Sequence, residues 1–139
     1  MTFRRLVASL PNGLHDAELR RFELDYELRR LRFELTIWVG NLSDPKSLEL
    51  YRPAILTFAD VAYLVAEPPA AAIPLDAGTI RIDAGEGRPK QSSTELPDAP
   101  SNTTVTWIYL EEPNTFLMFA AGEATLEWTG PAESRTPAL

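Results

Sequence analysis

The chain has 139 residues, 45% hydrophobic and 24% charged, which is typical of a single folded domain. Its formal net charge of −7 argues against a nucleic-acid-binding protein, because such proteins concentrate positive charge against the phosphate backbone. It has no cysteine, so disulfides, zinc–thiolate sites and thiol nucleophiles are excluded.

The N-terminal segment has two arginines followed by a short apolar run, residues 6–10. That run contains Ser9, ends at Pro11 and is shorter than the ~7–15 residues of a signal-peptide core. No other run approaches the ~18 apolar residues of a membrane span. We therefore expect a cytoplasmic protein without membrane contact, in which residues 3–10 form a short helix over one end or edge of a sheet.

The chain's single histidine, His15, precedes Asp16 in the stretch PNGLHDAEL, residues 11–19. Adjacent strand residues point to opposite faces, so a catalytic or metal site here needs a carboxylate from elsewhere in the fold. The alternative is structural. Asn12 and Gly13 would form a turn, and a polar side chain would bond to nearby backbone where the first strand begins. The structural interpretation is favoured, and His15 and Asp16 remain the catalytic candidates.

The segment LRRFELDYELRRLRFELTIWV, residues 19–39, alternates apolar and polar residues, and the phase changes once at Arg29-Arg30. Period two is typical of strands with one buried face, and a hairpin centred on the two arginines puts the apolar side chains on that face. The predicted pairs are Leu28 with Leu31, Tyr26 with Phe33, Leu24 with Leu35 and Phe22 with Ile37. In this register Trp38 lies on the charged face, opposite Arg21.

Further short strands separated by Gly- and Pro-rich turns are predicted after this hairpin. A helical turn at residues 46–50 precedes one or two strands within 54–66 and a strand at 79–83. The C-terminal third predicts two more hairpins from strands at 103–110, 116–120 and 124–128, with Trp107 and Trp128 in the core. The four consecutive apolar residues 116–119 indicate a central strand that is covered on both faces.

These elements predict a mainly β fold. It is an antiparallel sandwich or open barrel of about seven to eight strands with a short N-terminal helix. Residues 1–130 are predicted to form a single β-rich domain, and residues 131–139 a flexible tail.

The segment 84–102 is too long for a simple connection, because loops beyond ~12–15 residues are usually functional or disordered. Asp83 and Glu86 lie at its beginning. The local sequence supplies too few oxygen donors for calcium and lacks the spacing of a phosphate-binding loop. No metal or cofactor is therefore predicted, and the two acids are candidates for binding a partner.

Trp38 has two interpretations. It is either covered by an arginine or by the loop 42–50, or it anchors a protein partner, since tryptophan is enriched in interface hot spots. The candidate partner-binding residues are Trp38, Arg21, Asp83 and Glu86.

The segment PNGLHDAELRRFELDY, followed by a second strand that ends in WVG, resembles a set of small uncharacterised bacterial domains. These domains open with a Gly-Leu-His-Asp-Ala-Glu-type motif before an antiparallel sheet. Some relatives with a similar opening are classed among immunity proteins, which neutralise toxins of competing bacteria. The likeness covers mainly residues 11–39 and, more loosely, the turns 67–69 and 81–87. It implies an all-β domain with a protein-binding role, and it brings no catalytic residue.

Three functions follow as hypotheses. The first is a non-enzymatic, immunity-like binding domain whose acidic surface docks and inhibits a basic protein partner. The second is a small metal- or ligand-binding β-domain, or a hydrolase, that uses His15. The third is a structural domain that forms a homodimer through a sheet edge. A non-enzymatic role is favoured, because no serine lies in a G-x-S-x-G motif and no carboxylate pair stands out.

Overall fold

The computed structural model describes residues 1–70, 72, 76 and 78–135, and within them the chain forms one short helix and nine strands. Their bounds are α1 Phe3–Ala8, β1 Ala17–Asp25, β2 Arg30–Trp38, β3 Leu50–Phe58, β4 Tyr63–Ala66, β5 Ile80–Glu86, β6 Thr104–Leu110, β7 Thr115–Ala121, β8 Ala124–Trp128 and β9 Glu133–Ser134. All strand pairs are antiparallel, in the order β4-β7-β6-β5-β1-β2-β3-β8, with β9 also beside β3. The sheet is not closed into a barrel. The prediction of a mainly β, antiparallel fold with an N-terminal helix is confirmed.

A cluster of aromatic rings shows that the sheet curls around its own core. Phe58 of β3 and Phe119 of β7 lie 4.7 Å apart between ring centroids, and Phe33 of β2 lies 5.9 Å from Phe119. Three strands separate β2 from β7 along the sheet, so these rings meet only because its two halves face each other. Phe3 of α1 lies 5.3 Å from Phe58 and joins the same core.

Helix α1 is held at its N-terminus by two side chains. The hydroxyl of Thr2 accepts the backbone N–H of Arg5, and the carboxylate of Glu86 accepts the backbone N–H of Arg4. Both satisfy N–H groups that have no partner within a helix. The helix ends at Ala8, two residues before the predicted end. No helix among the described residues is long and apolar enough to cross a membrane.

The β1–β2 hairpin forms as predicted, but its predicted register is wrong. Phe33 pairs with Phe22 instead of Tyr26, and the loop consists of residues 26–29. Asp25 determines this loop, because its carboxylate accepts the backbone N–H of Leu28 at 2.9 Å. Arg29 completes the reversal with φ 52°. Tyr26 and Leu28 consequently lie in the loop and are exposed.

The second C-terminal hairpin was also predicted wrongly, because β8 does not pair with β7. Residues 122–123 carry the chain across the open side of the sheet to β3, where Ala54 pairs with Trp128. Neither connecting residue has the positive φ of a two-residue hairpin turn. Instead the crossing is tied to Ala59, which donates to the carbonyl of Glu123 and accepts from the N–H of Gly122.

The other predicted elements are placed as follows. Asp60 has φ 53° in the link between β3 and β4, as expected for a turn. Residues 46–49 form turns without a helix, and Leu50 already belongs to β3. Residues 133–134 form β9, and the guanidinium of Arg135 lies 4.4 Å from the ring of Tyr51. The structure thus differs here from the expected tail, whose last residues, 136–139, lie outside the described part of the chain.

Candidate functional site

The stretch 11–16 links α1 to β1 through a turn. Gly13 has φ 56°, the buried Leu14 belongs to the core, and the amide of Asn12 donates to the carbonyl of Gly40 at 2.7 Å. This much agrees with the structural interpretation of the segment. The side chain of His15 is not part of that arrangement and extends towards solvent.

His15 lies between two carboxylates. Its Nε2 is 3.4 Å from an oxygen of Asp16, and its Nδ1 is 3.7 Å from an oxygen of Asp83 on β5. The three side chains are 42–62% exposed. The structure thus supplies the distant carboxylate that a site at His15 requires. Within the described residues, no group of three His, Cys, Asp or Glu side chains could hold a metal ion.

A surface cleft with a volume of ≈ 450 Å³ lies on the outer face of β5, β6 and β7, where the side chains point away from the core. It is lined by Glu67, Asp83, Gln91, Trp107, Tyr109, Asn114 and Phe116. The strand register explains its floor, because Trp107 pairs with Gly85 and Tyr109 pairs with Phe116. We call this feature the aromatic cleft.

Three rings form the floor of the aromatic cleft. The ring of Phe116 lies 5.7 Å from Trp107, edge to face, and 5.0 Å from Tyr109. A Cβ atom on Gly85 would lie 2.4 Å from Cζ2 of Trp107, so the indole rests directly on the backbone of that glycine. Trp107 was predicted in the core and is instead on the outer face.

Glu67 forms one wall of the cleft and is held by three hydrogen bonds. One carboxylate oxygen accepts from the hydroxyls of Ser92 and Thr94, and the other accepts from the N–H of Phe116 at 3.0 Å. Burial acts to raise the pKa of Glu67, but these hydrogen bonds outweigh it and leave the pKa below its ordinary value. Glu67 is therefore ionised at neutral pH. No basic side chain of the described residues forms an ion pair with it.

Residues 87–103, which we call the strap, lie over the outer face and are fixed at Glu67 through Ser92 and Thr94. Met118 and Ala120 of β7 point to this face, away from the core cluster, yet they are fully buried. β7 is therefore covered on both faces, as its four consecutive apolar residues predicted. The strap is hydrogen-bonded to Glu67, and the aromatic cleft lies beside it.

Trp38 and Arg21, two of the predicted partner-binding residues, do not meet. Trp38 pairs with Tyr51, and its indole N–H donates to the carbonyl of Leu48 at 2.7 Å. The loop 41–49 thus covers Trp38, which was the structural alternative for this residue. Arg21 pairs with Glu34 because of the shifted register.

Asp83 and Glu86, which both lie in β5, have different surroundings. Glu86 is engaged by Arg4, with 3.1 Å between carboxylate and guanidinium, in addition to its bond to the helix backbone. Asp83 faces His15 and also lines the aromatic cleft. Of the four predicted partner-binding residues, Asp83 is the one that reaches this cleft.

Sequence reasoning missed Glu67 and the three floor aromatics. One signal was available, because β6, TVTWIYL, has large apolar residues at four successive positions. In a strand with one face in water, only the inward-facing residues, here Ile108 and Leu110, are expected to be large and apolar. The outward-facing Trp107 and Tyr109 therefore indicate that the outer face is also partly covered. The partner strands that complete the cleft could not be identified from that pattern.

Comparison with protein-family models, curated proteins and solved structures finds no match to this chain.

Proposed function

We propose that the protein is a non-enzymatic protein-binding domain that captures a basic protein partner and inhibits it in the manner of an immunity protein. The observation that carries this proposal is the aromatic cleft, in which a floor of three rings is bordered by Glu67 and Asp83. Among the described residues that line it there is no lysine or arginine. Trp107 and Tyr109 are partly exposed in this concave site, and aromatic side chains in such sites are typical anchors of protein interfaces.

The charge of the whole chain supports the same proposal. A net charge of −7 attracts a basic protein over distances comparable to the Debye length and speeds its association. The resemblance of residues 11–39 to domains that include immunity proteins points in the same direction, since such proteins act by binding another protein.

A capture experiment tests this function. The immobilised chain is exposed to a bacterial lysate, the retained proteins are identified, and each candidate is purified and titrated by calorimetry. We expect a basic protein whose affinity falls with added salt and is lost with the double variant Trp107→Ala, Asp83→Asn. The matched control is Tyr26→Ala, Glu127→Gln, which removes an exposed aromatic ring and an exposed acid elsewhere. Equal affinity of the two double variants would contradict the proposal.

One observation favours a second candidate, a small ligand-binding domain or hydrolase that uses His15. The 3.7 Å between His15 and Asp83 places a carboxylate where it could orient the imidazole of a general base. Chromogenic esters test this candidate. Both His15→Ala and Asp83→Asn should lower the hydrolysis rate at least about 100-fold, while Glu127→Gln leaves it unchanged. Equal rates for the wild type and His15→Ala would exclude it.

A further inference from the structure

We propose that the aromatic cleft is a receptor for an arginine side chain, whose guanidinium group stacks on the aromatic floor and donates to the carboxylates of Glu67 and Asp83. This inference rests on the proposed function, because it specifies the chemistry by which the basic partner is recognised. Three properties of the aromatic cleft support it: the composition of the wall, the packing of the floor and the volume of the cleft.

In the described part of the chain, no lysine or arginine lines the wall of the cleft. Glu67 is partly buried and ionised, and its three partners are two hydroxyls and one backbone N–H, so its charge is stabilised by dipoles but not neutralised. The oxygen that faces Phe116 accepts a single hydrogen bond and can accept another. Asp83 is about half exposed and offers a second carboxylate at the same cleft. A cationic group placed between Glu67 and Asp83 could donate hydrogen bonds to both carboxylates and neutralise their charge.

The remaining polar groups of the wall add further acceptors, together with the N–H donors of the Gln91 and Asn114 amides. The phenol of Tyr109 donates to Oδ1 of Asn114 at 2.6 Å, which commits its proton and leaves the lone pairs of the phenol oxygen available. Gln91 adds a side-chain carbonyl. A ligand with several N–H donors in one plane can donate hydrogen bonds to these acceptors. An anionic ligand would instead be repelled by the two carboxylates.

The floor favours guanidinium over ammonium. A guanidinium group is planar and weakly hydrated, and it stacks on aromatic rings while donating along its edges. An ammonium group is compact and strongly hydrated, so it loses more hydration free energy than a guanidinium group when it moves from water onto an apolar floor. Trp107 is fixed against Gly85 and packed against Phe116, so its ring needs no rearrangement to receive a planar group.

The dimensions agree with one long side chain together with its neighbouring backbone. The volume of ≈ 450 Å³ lies within the range of about 300–1,000 Å³ that is typical of ligand sites. The cleft is open to solvent, so a side chain presented on the surface of a folded partner could enter it.

The test is an NMR titration with three blocked tripeptides, Gly-Arg-Gly, Gly-Lys-Gly and Gly-citrulline-Gly. Citrulline has the shape of arginine without its charge. We expect the arginine peptide to bind with a dissociation constant of about 1 mM, because a single side chain supplies little contact area. It should shift the indole N–H resonance of Trp107. The lysine peptide should bind several-fold more weakly, and the citrulline peptide should not bind.

Two variants locate the binding. Trp107→Leu and Asp83→Asn should each weaken the arginine peptide about tenfold or more, whereas Tyr26→Ala and Glu127→Gln should leave its affinity unchanged. Asp83→Asn alters an exposed side chain, so its result stands even where the Trp107 variant loses stability. Equal binding of the arginine and citrulline peptides, or arginine binding that both cleft variants retain, would overturn the inference.

The outcomes separate this inference from the function on which it rests. Capture of a basic protein without any binding of the arginine peptide would overturn the arginine receptor and leave the binding function in place. Specific binding of the peptide without capture of a basic protein would overturn the function and leave the arginine site.

Discussion

Gly85 and Trp107 are cross-strand partners on β5 and β6, and their fit depends on the absence of a side chain at residue 85. A Cβ atom there would lie 2.4 Å from Cζ2 and 2.6 Å from Cε2 of the indole, well inside van der Waals contact. An indole is rigid, so either the ring or the strand backbone has to move. The glycine therefore determines the position of the main ring of the aromatic cleft.

Gly85→Ala should lower the free energy of unfolding by about 1–3 kcal/mol, the range typical of overpacking. Urea denaturation of the variant and the wild type measures the loss. The loss should shrink in a Trp107→Leu background, because a smaller, flexible side chain can yield to the new methyl group. Backbone strain does not contribute at this residue, because Gly85 is not among the glycines with positive φ. An equal loss in both backgrounds would exclude the ring contact as the cause.

His15 shows how far single residues could be predicted. The sequence indicated that a site at His15 would need a carboxylate from another element, and the structure provides Asp83. The sequence could not indicate which acid lies beside His15. The identity of that acid depends on β1 lying beside β5, where Ala17 pairs with Ile82. This pairing joins strands that are far apart in the chain, and no local pattern encodes it.

At the scale of elements, the strap depends on one carboxylate. Glu67 follows β4, and it accepts hydroxyl protons from Ser92 and Thr94 in the middle of the strap. The hydrogen bonds favour its ionised form, so the pKa of Glu67 is lower in the folded protein than in the unfolded chain. The stabilisation is therefore present above the ordinary glutamate pKa of about 4.3 and is lost as the pH falls through the lower, folded pKa.

Hydrogen exchange of the strap amides should report this titration. Protection of residues 92–96, relative to β7, should fall as the pH is lowered below the ordinary pKa of a glutamate and through the lower pKa of Glu67 in the folded protein. Glu67→Gln should loosen the strap at neutral pH by about 1–2 kcal/mol, because hydrogen bonds to a charged acceptor are lost. It should also remove the acid-induced change. A strap in Glu67→Gln that still loosens in acid would show that another group controls it.

The β1–β2 hairpin shows why strands were easier to predict than their register. Between Arg21 and Asp25 the true register differs from the predicted one by four residues, an even number, so Phe22 and Leu24 stay on the same face as Phe33 and Leu31. Hydrophobic alternation cannot distinguish such registers. The loop decides between them, through the bond from Leu28 to Asp25 and the positive φ of Arg29.

For the whole molecule, the aromatic cluster is the main contact between the two halves of the curled sheet. Phe58 is 1% exposed and contacts rings from α1, β2 and β7. Removing its ring would leave a cavity between surfaces that the strand hydrogen bonds hold in place, so the cavity can collapse only in part.

Phe58→Ala should lower the free energy of unfolding by about 3–5 kcal/mol, measured by thermal and urea denaturation. Tyr26→Ala removes another aromatic ring from a residue that is 87% exposed, and it should change stability by less than about 0.5 kcal/mol. Comparable losses in the two variants would mean that the aromatic cluster is not the centre of the core.

The class of the fold could be predicted because it depends on local patterns. Strand periods, turn residues and the apolar run of β7 all lie within short windows of sequence. The pairing of β8 with β3 could not be predicted, because residues 124–128 look equally suited to a hairpin with β7. The choice is made by contacts across the open side of the sheet, where Gly122 meets Ala59.

The passage of the chain from β7 across the sheet to β3, through residues 122–123, has a consequence for synthesis of the protein on the ribosome. The strands β1, β2 and β3 are consecutive and can pair as soon as they emerge, but among the described residues the outer edge of β3 receives its partners only from residues 124–128 and 133–134. Until then the nascent chain presents AILTF, residues 54–58, as an unpaired and apolar strand edge. Translation must reach nearly the last strand before that edge is protected. The interval before β8 emerges is therefore when this chain is most exposed to aggregation and most in need of a chaperone.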